Sequence, residues 1–202
     1  MARDQGRGAD RGAASAHEGE KDASSGRVVR EVNVLEDEGL RRQMTLGSLA
    51  VGAVGCAVSL AWALAPGPSH EGVGPAWLLA LTLVSLAALP VHELVHAAAF
   101  RLAGGPGTRV RFGREPGMLT TSALGTVLPR ARFTAVLLAP MVLLSCAFLV
   151  VCATLSLPLL GWWLFVLHLA GCTGDLAMAW AIARTRGATR VEDCEFGIRL
   201  LA

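Results

Sequence analysis

Four apolar stretches punctuated by short polar segments organise this chain. Residues 44 to 65, MTLGSLAVGAVGCAVSLAWALA, contain no charged side chain, and a helix of about 20 apolar residues is enough to cross a bilayer core. Pro66, Gly67 and Pro68 end that run, and a polar loop with His70 and Glu71 leads into a second, residues 76 to 103, interrupted by Pro90. Its length of roughly 28 residues exceeds the hydrocarbon thickness, so tilt or a kink is expected. The third and fourth stretches are residues 134 to 157 and 159 to 183, parted by little more than Pro158, which demands a tight turn near one membrane face. Between the second and third lies Gly104 to Phe133, where Thr108 to Phe112 and Met118 to Val127 alternate in polarity around the Gly113 to Gly117 turn. That pattern predicts a small β-hairpin at the membrane surface; an irregular basic loop held near lipid headgroups is the alternative. The expected fold is therefore an all-α membrane protein of about four transmembrane helices, with a possible small β-hairpin in the loop. Residues 1–30 read as a disordered tail, 31–43 as a juxtamembrane segment, 44–183 as the membrane domain and 184–202 as a cytoplasmic tail.

Charge placement predicts the orientation. Arg41 and Arg42 precede the first span, Arg109, Arg111, Arg114, Arg130 and Arg132 lie between the second and third, and Arg184, Arg186 and Arg190 follow the fourth. Residues 66–75 and 158–161 contain no Lys or Arg. The positive-inside rule then puts both termini in the cytoplasm of a multi-pass protein of the cell membrane. Composition agrees, since 53% hydrophobic and 17% charged residues with a mean hydropathy of +0.50 are too apolar for a soluble domain. A net charge of +2 without a basic stripe interleaved with aromatics gives no support to nucleic-acid binding. The five cysteines form no CxxC pair, and Cys56, Cys146, Cys152 and Cys172 sit in apolar spans, so no disulfide framework is implied. Residues 1 to 30 hold no apolar run that could serve as a secretory signal, which leaves insertion to the first internal span. Nothing in the sequence fixes an oligomeric state.

The second span carries His92-Glu93-Leu94-Val95-His96. Four residues apart on a helix, both imidazoles project from one face and can reach one metal ion, while Glu93 stands beside them where it can accept a proton from water. Apart from Arg101 at a boundary, the only ionisable groups in the four spans, cysteine thiols aside, are His92, Glu93, His96, His168 and Asp175. Such groups are costly in lipid unless paired or metal-bound, which argues against ordinary core packing of the two histidines. Catalytic zinc takes three protein ligands and keeps a position for water, so a third ligand is required. Asp175 lies at the depth of the histidine pair, about 13 Å from the cytoplasmic end of its span, whereas His168 is about 10 Å farther out on a straight helix. Asp175 is accordingly the candidate ligand, and His168 a residue that supports a ligand, lines the site or packs. Gly171 and Gly174 would let the fourth span approach the second. Pro90 and Pro140 each free a backbone carbonyl and can bend a helix where water must enter. Cys172 lies about 60° from Asp175 around the helix and reads as a free thiol.

With HELVH, the Leu138-Ala139-Pro140 triplet and Gly174-Asp175-Leu176, the chain resembles a family of small bacterial membrane proteins described as putative zincin peptidases, over about residues 34 to 199. It is also similar to a minimal site-2-type intramembrane metalloprotease, in which an HExxH helix and an Asp-bearing helix run parallel with one antiparallel span between them. The resemblance implies Zn2+ held by His92, His96 and Asp175, Glu93 as general base, and a membrane-embedded protein or peptide as substrate. Asp175 departs from the site-2 pattern, being preceded by glycine and followed by leucine where that family has Leu-Asp-Gly. Two other readings remain: a non-enzymatic protein that binds or conducts metal, for which ligands should recur at several depths, and an inactive scaffold, against which the presence of Glu93 argues.

Overall fold

The computed structural model describes residues 26–34, 36–65, 71–115, 118–194 and 197–202. The tail before residue 26, the Pro66–His70 end of the first loop and the Pro116–Gly117 hairpin turn lie outside these residues. Among the described residues there are five helices and six short strands: β1 (Val28–Asn33), α1 (Glu38–Leu64), α2 (Pro75–Gly104), β2 (Arg111–Glu115), β3 (Met118–Ser122), β4 (Val127–Pro129), α3 (Arg130–Thr154), α4 (Pro158–Gly171), α5 (Thr173–Arg184), β5 (Arg190–Cys194) and β6 (Gly197–Leu201).

Local chemistry sets the helix limits. Asp37 caps α1 by accepting from the Leu40 N–H at 2.9 Å, and Pro75 and Pro158 start α2 and α4 where a missing N–H costs nothing. Helices α1, α2 and α3 are long and apolar enough to cross a membrane, and α4 with α5 makes a fourth crossing if that pair counts as one span. The most apolar stretches of α1 and α2 bury almost nothing within the protein. Leu46, Leu49, Leu60, Leu79, Leu83 and Leu86 point outward, each more than half exposed, as lipid-facing side chains do. The turn between α3 and α4 is as tight as the sequence requires. Ser156 takes a left-handed conformation there, and Gly161 brings the two helices together so closely that a Cβ would lie 2.6 Å from that of Cys152.

Two expectations need correction. The fourth span is not a continuous helix: α4 and α5 bend by 52° at Cys172. The fold is not all-α either. Besides the expected hairpin of β2 with β3, a four-stranded antiparallel sheet has the order β1-β6-β5-β4. Residues 28–33, 190–194 and 197–201, read from sequence as tail and juxtamembrane segments, are thus paired strands. Gly197 has a φ of 153° and meets the Val32 carbonyl so closely that a side chain there would collide. Val32, Val191, Ile198 and Leu200 bury one face of the sheet against Phe100, Phe133 and Ile182 from the ends of α2, α3 and α5. Arg130, at the start of α3, donates to the Ile182 carbonyl at 2.6 Å and the Ala188 carbonyl at 3.2 Å, closing the end of α5. At the opposite end Glu71 accepts from the Trp77 indole at 2.6 Å and from the Leu159 N–H of α4 at 2.8 Å. All three arginine-bearing flanks therefore meet at one end of the helix bundle.

Asp193 joins the sheet to the segment after β3. It is buried, its carboxylate accepts from the Ala123 N–H at 2.6 Å, and its backbone exchanges bonds with Gly125 and Thr126, each 3.1 Å long. Burial pushes its carboxyl up to about 7, against the lowering effects of the Ala123 bond and of His96.

Candidate metal centre

Helix α2 places His92 and His96 one turn apart with ring centroids 4.7 Å from each other. Asp175 comes from the first turn of α5, which the bend at Cys172 directs toward α2. The three side chains meet edge to edge. His92 Nε2 is 3.1 Å from His96 Nε2 and 3.2 Å from Asp175 Oδ2, and His96 Nε2 is 3.4 Å from Asp175 Oδ1. Ligand atoms bound to tetrahedral zinc at 2.0–2.1 Å stand about 3.3 Å apart, and each of these separations is of that size, the two imidazoles facing different oxygens of the one carboxylate. Two imidazoles and a carboxylate also make a donor set that suits zinc. The residues present fit the ion.

Glu93 follows His92 on the same helix, with its carboxyl in electrostatic reach of His92, His96 and Asp175. Its backbone carbonyl accepts from the Thr121 hydroxyl at 3.0 Å, which fastens β3 to the motif helix.

Behind this cluster, the far nitrogen of each imidazole is also held. His96 Nδ1 lies 3.1 Å from the Val136 carbonyl of α3. His92 Nδ1 lies 3.3 Å from His168 Nε2, and His168 Nδ1 is 3.3 Å from the Ser145 hydroxyl. Carbonyl and hydroxyl partners of this kind fix the tautomer of a metal-binding histidine and aim its free lone pair. His168, about 10 Å from the level of Asp175 on a straight helix, thus reaches the outer nitrogen of His92 and not the cluster of His92 Nε2, His96 Nε2 and Asp175. Cys172, at the bend, is fully buried with its sulfur 3.7 Å from His168 Nε2 and 4.0 Å from His92 Nδ1. His92, His168 and Cys172 thus form a second group of donor atoms lying within 4.8 Å of one another.

The remaining sequence candidates are placed as follows. Gly174 does not admit α2; a Cβ there would meet Met44 of α1 at 3.2 Å, and one at Gly171 would meet nothing within 4 Å. Small residues on the fourth span therefore serve its packing against the first helix. Pro140 is fully buried inside α3, and Pro90 lies on the exposed side of α2. Thr121, Val136 and Ser145 escaped the sequence reading, and Cys172, read there as a free thiol, is free and stands among the imidazoles. Val136 acts through its backbone and Thr121 and Ser145 are common polar residues; the position of Cys172 four residues after His168, on the same helical face, is the signal that puts it beside that imidazole.

A family profile described as "putative zincin peptidase" matches residues 85–189, whereas no curated protein and no solved structure matches the chain. The matched segment covers just over half of the chain and includes every residue of the cluster, Glu93 and the groups behind them. On that match, the chain belongs to the putative zincin peptidase family.

Proposed function

We propose that the protein is a zinc-dependent intramembrane endopeptidase that hydrolyses peptide bonds of membrane-associated protein or peptide substrates. The observation that carries the reading is the cluster of His92, His96 and Asp175, whose nitrogen–nitrogen and nitrogen–oxygen separations are 3.1, 3.2 and 3.4 Å, beside Glu93. Zinc, when bound, supplies the Lewis acidity that makes water nucleophilic at neutral pH and polarises the scissile carbonyl. His92, His96 and Asp175 hold the ion. Glu93 takes the proton from the attacking water and gives it to the departing amide nitrogen, so that water is divided between a new carboxyl and a new amine. Apolar outward faces of α1 and α2 support a bilayer setting, and the end where the arginines gather is the cytoplasmic end. Strand β3, bonded to the motif helix through Thr121, is the edge to which we assign substrate. An extended segment paired there offers its backbone without much demand on side-chain sequence. Of the alternating stretch from Thr108 to Phe112, only Arg111 and Phe112 lie in a strand, β2, since Thr108 to Val110 precede it.

Purified protein in lipid should bind one zinc ion per chain. Alanine at His92 or His96 should abolish binding, and alanine at Asp175 should weaken it strongly. Glu93→Gln should retain zinc and lose cleavage of a membrane-embedded substrate by at least about 100-fold, the scale of a general base. Cleavage that survives Glu93→Gln would rule out the assigned mechanism.

The second donor group, His92 with His168 and Cys172, favours an alternative in which the protein binds or passes metal without catalysis. Zinc flux into proteoliposomes that is insensitive to Glu93→Gln, in the absence of any proteolysis, would support that alternative.

A further inference from the structure

Pro140 stands inside α3 and brings no N–H to the helix. In an uninterrupted helix, the N–H of residue 140 would bond the carbonyl four positions earlier. That carbonyl belongs to Val136, and it is the one to which His96 Nδ1 points at 3.1 Å. All three residues are buried. A carbonyl oxygen can only accept, so His96 must carry a proton on Nδ1, which leaves Nε2, on the side of His92 and Asp175, as the nitrogen that can bind a metal. The two histidines are thus fixed differently, His92 by a side chain, His168, and His96 by a backbone carbonyl.

We infer that Pro140 is a positioning residue for His96: by withholding an N–H it leaves the Val136 carbonyl to hold the imidazole in the tautomer and orientation that the ligand cluster needs. The inference rests on the reading of that cluster as a metal site. Its physical logic is competition for one acceptor. Away from water, the Val136 carbonyl needs a donor, and His96 is the donor that this structure supplies. An N–H at position 140 would take the acceptor in line with the helix axis and loosen the ring.

The test uses full-length protein in nanodiscs carrying Pro140→Ala or Pro140→Val. Both variants restore the N–H, while valine keeps close to the volume of proline and leaves little cavity. Zinc affinity, measured by competition with a chelator, should fall about 10- to 100-fold in both variants, the range found for lost outer partners of metal ligands. Thermal stability of the zinc-free protein should not fall, since each variant repairs a helix. In zinc-free protein, the 15N and attached 1H shifts of His96 Nδ1 should report a hydrogen-bonded N–H in the parent and a weaker or absent bond in both variants. The inference is overturned if affinity is unchanged in both, if valine restores what alanine loses, or if the loss of affinity follows a loss of stability. Should the parent bind no zinc, the metal reading fails, and the His96 Nδ1 hydrogen bond still decides the role of Pro140.

Discussion

At Asp193 a single buried carboxylate ties the C-terminal strands to the segment that follows β3. Its carboxyl, pushed up to about 7 by burial, is higher than the ordinary aspartate of an unfolded chain. The folded state therefore binds this proton more tightly, and the stability it confers is full below about pH 4 and is lost as pH rises through about 7, by roughly 4 kcal/mol at most. Asp193→Asn keeps an acceptor for the Ala123 N–H and removes the titration. Unfolding in detergent should show the variant more stable than the parent at pH 8 and flat between pH 4 and 7, where the parent declines. A parallel decline in both would assign the pH dependence elsewhere. Individual residues were unevenly legible. His92, Glu93 and His96 declare themselves by spacing, and Asp175 by depth, because charge in lipid is rare enough to be informative. The acceptor for His96 was legible only in principle, as the carbonyl four residues before Pro140. Asp193 gave no signal, since a carboxylate in a charged segment is indistinguishable by sequence from a solvated one.

Among the elements, β3 touches the motif helix and β2 is paired only to β3. Neighbouring residues of a strand turn their N–H groups to opposite sides. Of Leu119 and Thr120, then, proline at one removes a donor from the ladder with β2 and proline at the other removes one from the free edge. The free-edge variant should keep its zinc and lose cleavage of an embedded substrate several-fold, as measured in proteoliposomes. Unchanged cleavage in both variants would exclude β3 as the docking edge, and Val110→Pro, outside either strand, is the comparison that should cleave normally. The helices were readable because about 20 apolar residues admit few other uses. The four-stranded sheet was not, because its strands are three to six residues long and come from three distant parts of the chain. Arg190 to Cys194 does alternate between outward and buried positions, a period-2 pattern too short to separate from a charged tail. The break at Cys172 falls between Gly171 and Gly174, which the sequence offered as small packing residues and not as a kink.

Across the whole molecule, β1 precedes α1, β4 precedes α3, and β5 with β6 follows α5, so one sheet gathers the ends of three helices and the arginines beside them. This arrangement requires α1 and α3 to run one way and α2 and the α4–α5 pair the other. Reporter fusions after Ala202 and within residues 67–75 should accordingly report opposite sides of the membrane, with the former cytoplasmic. Reports from the same side would separate the sheet from the loop ends that it is built upon. The pairing of Val28 with Leu201 also sets a schedule. About 170 residues must be synthesised between the two partners, which at 5–20 residues per second takes roughly 10 to 30 s. Throughout that interval β1 waits with an open edge while the helices are made. The helices that carry the candidate ligands are thus made before β6, and the sheet is a latch that can close only once that strand has been synthesised.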